Sequence, residues 1–122
     1  GARFAVFNDT SLESEKVVRA NVEKLGYADK TKILRLDYKT AIERLSAWDK
    51  HFDIVFLDPP YAGDMALRAA VLLHQKGLLN DNALIAAESA SKTPLASYAG
   101  LFRIRDTRNY GDVTITILEK EP

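Results

Sequence analysis

The residues of this sequence best suited to chemistry are Asp58-Pro59-Pro60-Tyr61, which follow directly on the apolar run Ile54-Val55-Phe56-Leu57. The two prolines fix φ and bring no N–H, so the carbonyls of Asp58 and Pro59 are spared the usual turn bonding and can be aimed outward. A carboxylate beside aimed carbonyls is a set of acceptors without a donor. Such a set suits a ligand that brings its own N–H groups, for example the exocyclic amine of a nucleobase, and Tyr61 adds a flat face on which the base can stack. The plainer alternative is a strand-ending turn, since Asp and Pro are ordinary turn residues. Adjacent prolines bracketed by Asp and Tyr after a buried-type run are uncommon enough in composition to favour the site.

Three further carboxylates stand in similar places. Asp9 follows Phe4-Ala5-Val6-Phe7-Asn8, Asp37 follows Thr31 to Leu36, and Glu88 follows Ala83 to Ala87. If the runs are parallel strands of one sheet, Asp9, Asp37, Asp58 and Glu88 line its carboxyl edge, where open α/β sheets hold their ligands. Such a row suits a nucleoside, one carboxylate accepting from ribose hydroxyls and another from an adenine amine. Helix N-capping is the plainer role for any single Asp so placed. Several in register with Asp58-Pro59-Pro60-Tyr61 favour a site.

The elements that must position these groups alternate between two periods. After the first strand, Thr10 or Ser11 can cap a helix in which Leu12, Val17, Val18, Val22 and Leu25 recur near helical spacing, with Gly26 as its C-cap. A second helix over residues 40–48 turns Ile42, Leu45 and Trp48 toward the core. A third begins at Gly63 or Asp64, offers Met65, Leu67, Ala69, Val71, Leu72 and Leu73, and ends before Gly77. His51 and His74 read as surface residues, and Ser91 to Tyr98 as a weak helix interrupted by Pro94. The last third changes character. Residues 101–105 and 113–118 alternate polar with apolar about Asn109-Tyr110-Gly111-Asp112, which predicts an antiparallel hairpin on one margin of an otherwise parallel sheet. The fold class is therefore α/β.

Composition sets outer bounds. The chain has 122 residues, enough for one domain with its own core. Its 17 basic and 17 acidic residues cancel, so a polyanion would have to be held by a local patch. Cysteine is absent, which excludes a disulfide framework and thiolate metal sites. No run approaches a membrane span and no signal-peptide pattern opens the sequence, so the expectation is a soluble cytoplasmic protein with no membrane partner. Arg103, Arg105 and Arg108 could touch phosphates or form a solvated face, and both readings stand. No Gly-x-Gly-x-x-Gly appears, which disfavours a nicotinamide-dependent oxidoreductase.

Taken together, Ala5 to Asp9 with the helix through Asn21 to Gly26, Leu36-Asp37-Tyr38, Phe52 to Tyr61, Glu88 and the Tyr110-Gly111 hairpin resemble a class I S-adenosylmethionine-dependent methyltransferase. The closer resemblance is to the RsmD family, which methylates a guanine 2-amino group in bacterial small-subunit ribosomal RNA. It covers essentially the whole chain, although the Asp-Pro-Pro-Tyr loop is shared with DNA amino-methyltransferases. It implies a Rossmann-like, mostly parallel sheet ending in an antiparallel hairpin. It further implies that Asp9 and Thr10 meet the ribose and adenine of S-adenosylmethionine, and that Asp37 and Tyr38 adjoin the adenine amine. Asp58 and the Pro59 carbonyl, with Pro60 shaping the loop, would hold the target amine while Tyr61 stacks on the base. No metal is required, because the leaving group is a neutral thioether.

One departure stands out. The family opens with a strand and a glycine-rich loop around the methionine end of the cofactor, and the sequence from Gly1 onward shows neither. The expectation is an N-terminally incomplete single domain, weak or inactive alone, whose strands at residues 3–7 and 52–57 lose a shared neighbour. Unpaired edges and apolar surface should result, with possible self-association. A DNA adenine or cytosine amino-methyltransferase and a non-catalytic fragment are the alternatives.

Overall fold

The computed structural model describes residues 2–58, 65–90 and 100–121. Within it the chain forms two compact units, residues 1–44 and 45–122.

The first unit is a β-α-β arrangement. Strand β1 (Ala5–Asn8) pairs in parallel with β2 (Thr31–Leu34), Ala5 opposite Thr31 and Asn8 opposite Leu34. Helix α1 (Leu12–Leu25) makes the crossover. Of the two candidate caps it is Ser11 whose hydroxyl accepts from the Ser14 N–H, at 3.3 Å, and Glu13 and Glu15 sit in the first turn, where the helix dipole favours them. Gly26 ends the helix at φ 77°, a left-handed conformation that suits a residue without Cβ. A short 3-10 helix, Ala28–Lys30, then leads into β2. Helix α2 (Tyr38–Ala47) begins in this unit and ends beyond its boundary, with Ala41, Ile42 and Leu45 buried.

The second unit is a four-stranded sheet in the order β3-β4-β6-β5. Strand β3 (Phe52–Leu57) runs parallel to β4 (Leu79–Ala90), joined to it through helix α3 (Met65–Gln75). Strands β5 (Phe102–Tyr110) and β6 (Val113–Lys120) form the expected hairpin, and β6 pairs antiparallel to β4. Gly111 turns the hairpin at φ 65°. Ala66, Ala69, Ala70 and Leu73 of α3 are buried, as are Ile85 and Ala87 of β4 and Thr114, Thr116 and Leu118 of β6. The opposite face of the sheet carries Ile54, Phe56, Leu84, Ala86, Ile115 and Ile117, none of them fully buried.

Several expectations need correction. The strands around β1 and β3 read as fully buried, yet Ile54 is 61% and Phe56 79% exposed, and Phe7 is exposed as well. Among the described residues β1 pairs only with β2, and β3 only with β4. Trp48 lies beyond the end of α2 and is 37% exposed rather than directed to the core. His74 is half-buried and meets the Phe102 ring edge-on at 5.6 Å between centroids, an aromatic contact rather than a solvated surface position. Strand β4 begins at Leu79 and continues past Glu88 to Ala90, because β6 keeps supplying hydrogen-bond partners after β3 has ended. The weak helix expected at residues 91–98 lies outside the described residues, as does the start of the third helix at Gly63 or Asp64.

Candidate functional site

In the first unit, β1 and β2 deliver Asp9 and Asp37 to the same end of a parallel pair. The chain leaves the β2 ladder at Leu34, two residues sooner than expected, and the side chain of Asn8 takes over. Its Nδ2 donates to the Leu36 carbonyl at 2.9 Å and its Oδ1 accepts from the Leu36 N–H at 3.2 Å. One side-chain amide thus adds a further rung between the two segments. Sequence reasoning treated Asn8 only as the end of the strand; its position one residue before a strand-end carboxylate was the available signal.

Asp9 is exposed, and its Oδ1 accepts from the Ser11 N–H at 2.9 Å, which settles the turn into α1. Phe7, Asn8 and Asp9 line a shallow cavity of about 160 Å³ together with Ser14, Val18 and Ile33. Thr10 is exposed beside it. Asp37 does serve as a helix N-cap: its Oδ1 accepts from the Thr40 N–H at 3.0 Å and its Oδ2 from the Thr40 hydroxyl at 2.7 Å. Those bonds, the backbone one foremost, hold its carboxyl below the usual carboxylate range. Each oxygen keeps a second lone pair, and the group is exposed, so capping leaves it able to accept from a ligand. Tyr38 opens α2, half-buried, with the Lys39 ammonium 5.9 Å from its ring centroid.

In the second unit, the parallel pairing of β3 and β4 ends at Leu57 opposite Ala87, so Asp58 and Glu88 are the next residues on two adjacent strands. Hydrogen bonding to Asp58, and then its negative charge, push the Glu88 carboxyl above its ordinary range. Glu88 is half-buried while Asp58 is exposed. Pro59, Pro60 and Tyr61 lie outside the described residues. The sequence placed Asp58 and Glu88 at strand ends; only the register shows that they meet.

The three arginines separate. Arg103 and Arg105 both pair with Glu119, Arg105 at 3.8 Å, toward the open end of the hairpin. Arg108 lies near the turn, its Nε donating to Asp106 Oδ2 at 3.0 Å. Among the described residues no three His, Cys, Asp or Glu side chains converge as a metal ion would need. None of the described helices is long and apolar enough to cross a membrane.

The two sheets, one parallel and one with parallel and antiparallel strands, are those of an α/β fold of the Rossmann-like methyltransferase type, as solved structures bear out. A Streptococcus pyogenes structure described as a conserved hypothetical protein superposes with a TM-score of 0.87 at 24% identity, covering 99% of this chain and 74% of that one. The methyltransferase from Geobacter sulfurreducens shares the fold at a TM-score of 0.71 and 16% identity, with 98% of this chain and 59% of that one covered. Residues 1–119 match the family described as conserved hypothetical protein 95, and the chain belongs to that family.

Among curated relatives, YlbH of Bacillus subtilis, provisionally named an rRNA methyltransferase, is 22% identical over 120 residues. The match takes in 98% of this chain and 65% of YlbH, so the chain spans about two thirds of that relative's length. The ribosomal RNA small subunit methyltransferase D of Haemophilus influenzae is 47% identical over 45 residues, which is 37% of this chain and 23% of that enzyme.

Proposed function

We propose that this chain belongs to an enzyme that transfers a methyl group from S-adenosylmethionine to the exocyclic 2-amino group of a guanine in small-subunit ribosomal RNA. One observation carries the proposal: an exposed Asp58, paired with Glu88 at the end of parallel strands, stands directly before Pro59-Pro60-Tyr61. The naming of the Haemophilus influenzae relative supports the choice of RNA over DNA.

In this reading Asp9 accepts from the ribose hydroxyls and Thr10 lies beside the adenine, while Asp37 accepts from the adenine amine next to Tyr38. Their geometry suits these roles, for Asp9 lines an open cavity and Asp37 is an anchored, ionised acceptor with lone pairs to spare. The cofactor supplies a methyl on a sulfonium and departs as a neutral thioether. The guanine amine is a poor nucleophile because its lone pair is delocalised into the ring. Asp58 and the Pro59 carbonyl, each accepting one amine hydrogen, favour the pyramidal geometry in which the lone pair is available for attack. Tyr61 stacks on the extruded base, whose removal from a helix costs a few kcal/mol, less from an unpaired loop. As the N–C bond forms the nitrogen becomes cationic, and in this reading its surplus proton passes to the Asp58–Glu88 pair.

The test is twofold. S-adenosylmethionine is titrated calorimetrically into the protein carrying this chain, and labelled methyl incorporation is compared on small ribosomal subunits, free ribosomal RNA and DNA. Cofactor binding with labelling of RNA at guanine N2 is expected. Labelling of DNA alone would transfer the site to a DNA amino-methyltransferase, and absence of cofactor binding would leave a non-catalytic fold.

A further inference from the structure

The face of the four-stranded sheet that bears Glu88 continues to the tip of the β5–β6 hairpin. Glu88 is opposite Ile115 across the β4–β6 ladder, and Ile115 is opposite Arg108 across the β6–β5 ladder. Directly opposed residues share a face, so Glu88, Ile115 and Arg108 form one row, with Asp58 next to Glu88 at its other end. Two strand spacings put the Arg108 backbone roughly 10 Å from that of Glu88. Two residues on from Arg108, and therefore on the same face, Tyr110 is opposite Val113 beside the turn and 59% exposed.

Arg108 and Tyr110 stand two residues apart on that face. The guanidinium donates from Nε to Asp106 Oδ2 at 3.0 Å, and Asp106 Oδ1 itself accepts from the Thr107 N–H at 2.9 Å. A guanidinium has five N–H donors, so these contacts orient the fork and leave donors for a further acceptor. Arg103 and Arg105, drawn to Glu119 at the far end, offer nothing comparable. An exposed ring beside an oriented guanidinium, on a surface running from the amine-holding carboxylates, has the chemistry of a single-stranded nucleic acid: a base for the ring and a phosphate for the fork.

We infer that the hairpin tip clamps the RNA segment flanking the target guanine, with Tyr110 stacking on a neighbouring base and Arg108 binding a backbone phosphate. This rests on the proposed function and adds to it a place for the adjoining nucleotide. The consequence is a preference for an unpaired flank, because a base inside a helix cannot reach an aromatic face.

The experiment measures binding of a short fluorescent, guanine-containing single-stranded RNA across a salt series. Wild type is compared with Tyr110→Leu, Tyr110→Phe, Arg108→Gln and Arg103→Gln, each checked for an unchanged melting temperature. Tyr110→Leu should weaken binding roughly 5- to 100-fold, the range of a lost base stack, while Tyr110→Phe stays near wild type. Arg108→Gln should lower the slope of log affinity against log salt by about 0.7, one phosphate on a single strand, and Arg103→Gln should leave it unchanged. If Tyr110→Leu disturbs the hairpin, the Arg108→Gln slope still decides. Wild-type affinity and slope in both Tyr110→Leu and Arg108→Gln, with methyl transfer intact, would overturn the clamp and leave the proposed function standing. No RNA binding by the wild-type protein would overturn both.

Discussion

Asp58 and Glu88 are neighbours across the end of a parallel strand pair. Hydrogen bonding to Asp58, and then its negative charge, raise the Glu88 affinity for a proton. A carboxyl whose folded pKa is raised stabilises the fold below its unfolded pKa, and that contribution is lost as pH rises through the folded value. Carbon-detected NMR titration should therefore show Glu88 titrating above the ordinary glutamate range, and Asp58→Asn should bring it back. An ordinary Glu88 titration in the wild-type chain would mean that the two groups do not interact in solution.

Asp37 behaves in the opposite sense. Its bonds from Thr40 depress its pKa, so their stabilisation is present above the unfolded pKa and disappears as pH falls through the folded one. Thr40→Val removes the hydroxyl and keeps the N–H. The variant should melt below wild type at neutral pH, and the two curves should converge in acid. Parallel curves down to strong acid would deny the cap its electrostatic part.

Asp58 and Asp9 should separate kinetically. With Asp58→Ala, turnover is expected to fall by about 10²- to 10³-fold, the usual cost of an aimed polar group, while S-adenosylmethionine affinity stays close to wild type. With Asp9→Ala, cofactor affinity should fall first. Steady-state assays paired with calorimetry check both, and near-normal turnover in Asp58→Ala would remove that residue from the mechanism.

Asn8→Ala removes both side-chain bonds to Leu36. Because the amide is exposed, the expected loss in a urea melt is modest, about 1 kcal/mol. The sharper effect should be on cofactor affinity, since the rung beside Asp9 and Asp37 is gone. Unchanged affinity would make Asn8 a purely structural lock.

The exposed apolar residues of β3 bear on the behaviour of the isolated chain. Phe56 and Ile54 stand exposed on a strand with one pairing partner among the described residues, a combination that favours association. Sedimentation should show concentration-dependent self-association, reduced in Phe56→Lys, with little change in melting temperature because so little of Phe56 is buried. A wild-type chain that stays monomeric at high concentration would exclude it.

What could be read from the sequence divides along physical lines. Helix α1 follows from its serine cap, its apolar spacing and Gly26, all local signals, and its bounds match. The hairpin likewise follows from alternation and a glycine turn. Burial was misjudged where it depends on distant neighbours: an apolar run such as Ile54 to Leu57 is the same in the middle of a sheet and at an open edge. The end of β4 was misplaced because β6, distant in sequence, decides where its pairing stops. Asp9, Asp37, Asp58 and Glu88 were visible as strand-end acids, but the Asp58–Glu88 bond and the Asn8 rung depend on register, which no local pattern records. The three arginines looked alike because Arg103 and Arg105 are drawn away by Glu119 on the neighbouring strand, which only the register reveals.

Strand β4 has ladder partners on both sides, with Ile85 and Ala87 sealed beneath α3, whereas β3 is paired along one side among the described residues. Opening events reach doubly paired, covered backbone last, so β4 amides should exchange with deuterium at the slowest rates and β3 amides sooner. The acid pair therefore joins a strand that keeps its place to one that breathes. Each excursion of β3 carries Asp58 away while Glu88 stays, and a ligand gripping Asp58 would stitch the outer strand down. Slowed exchange in Val55 to Leu57 would then register occupancy of the site without any chemistry taking place.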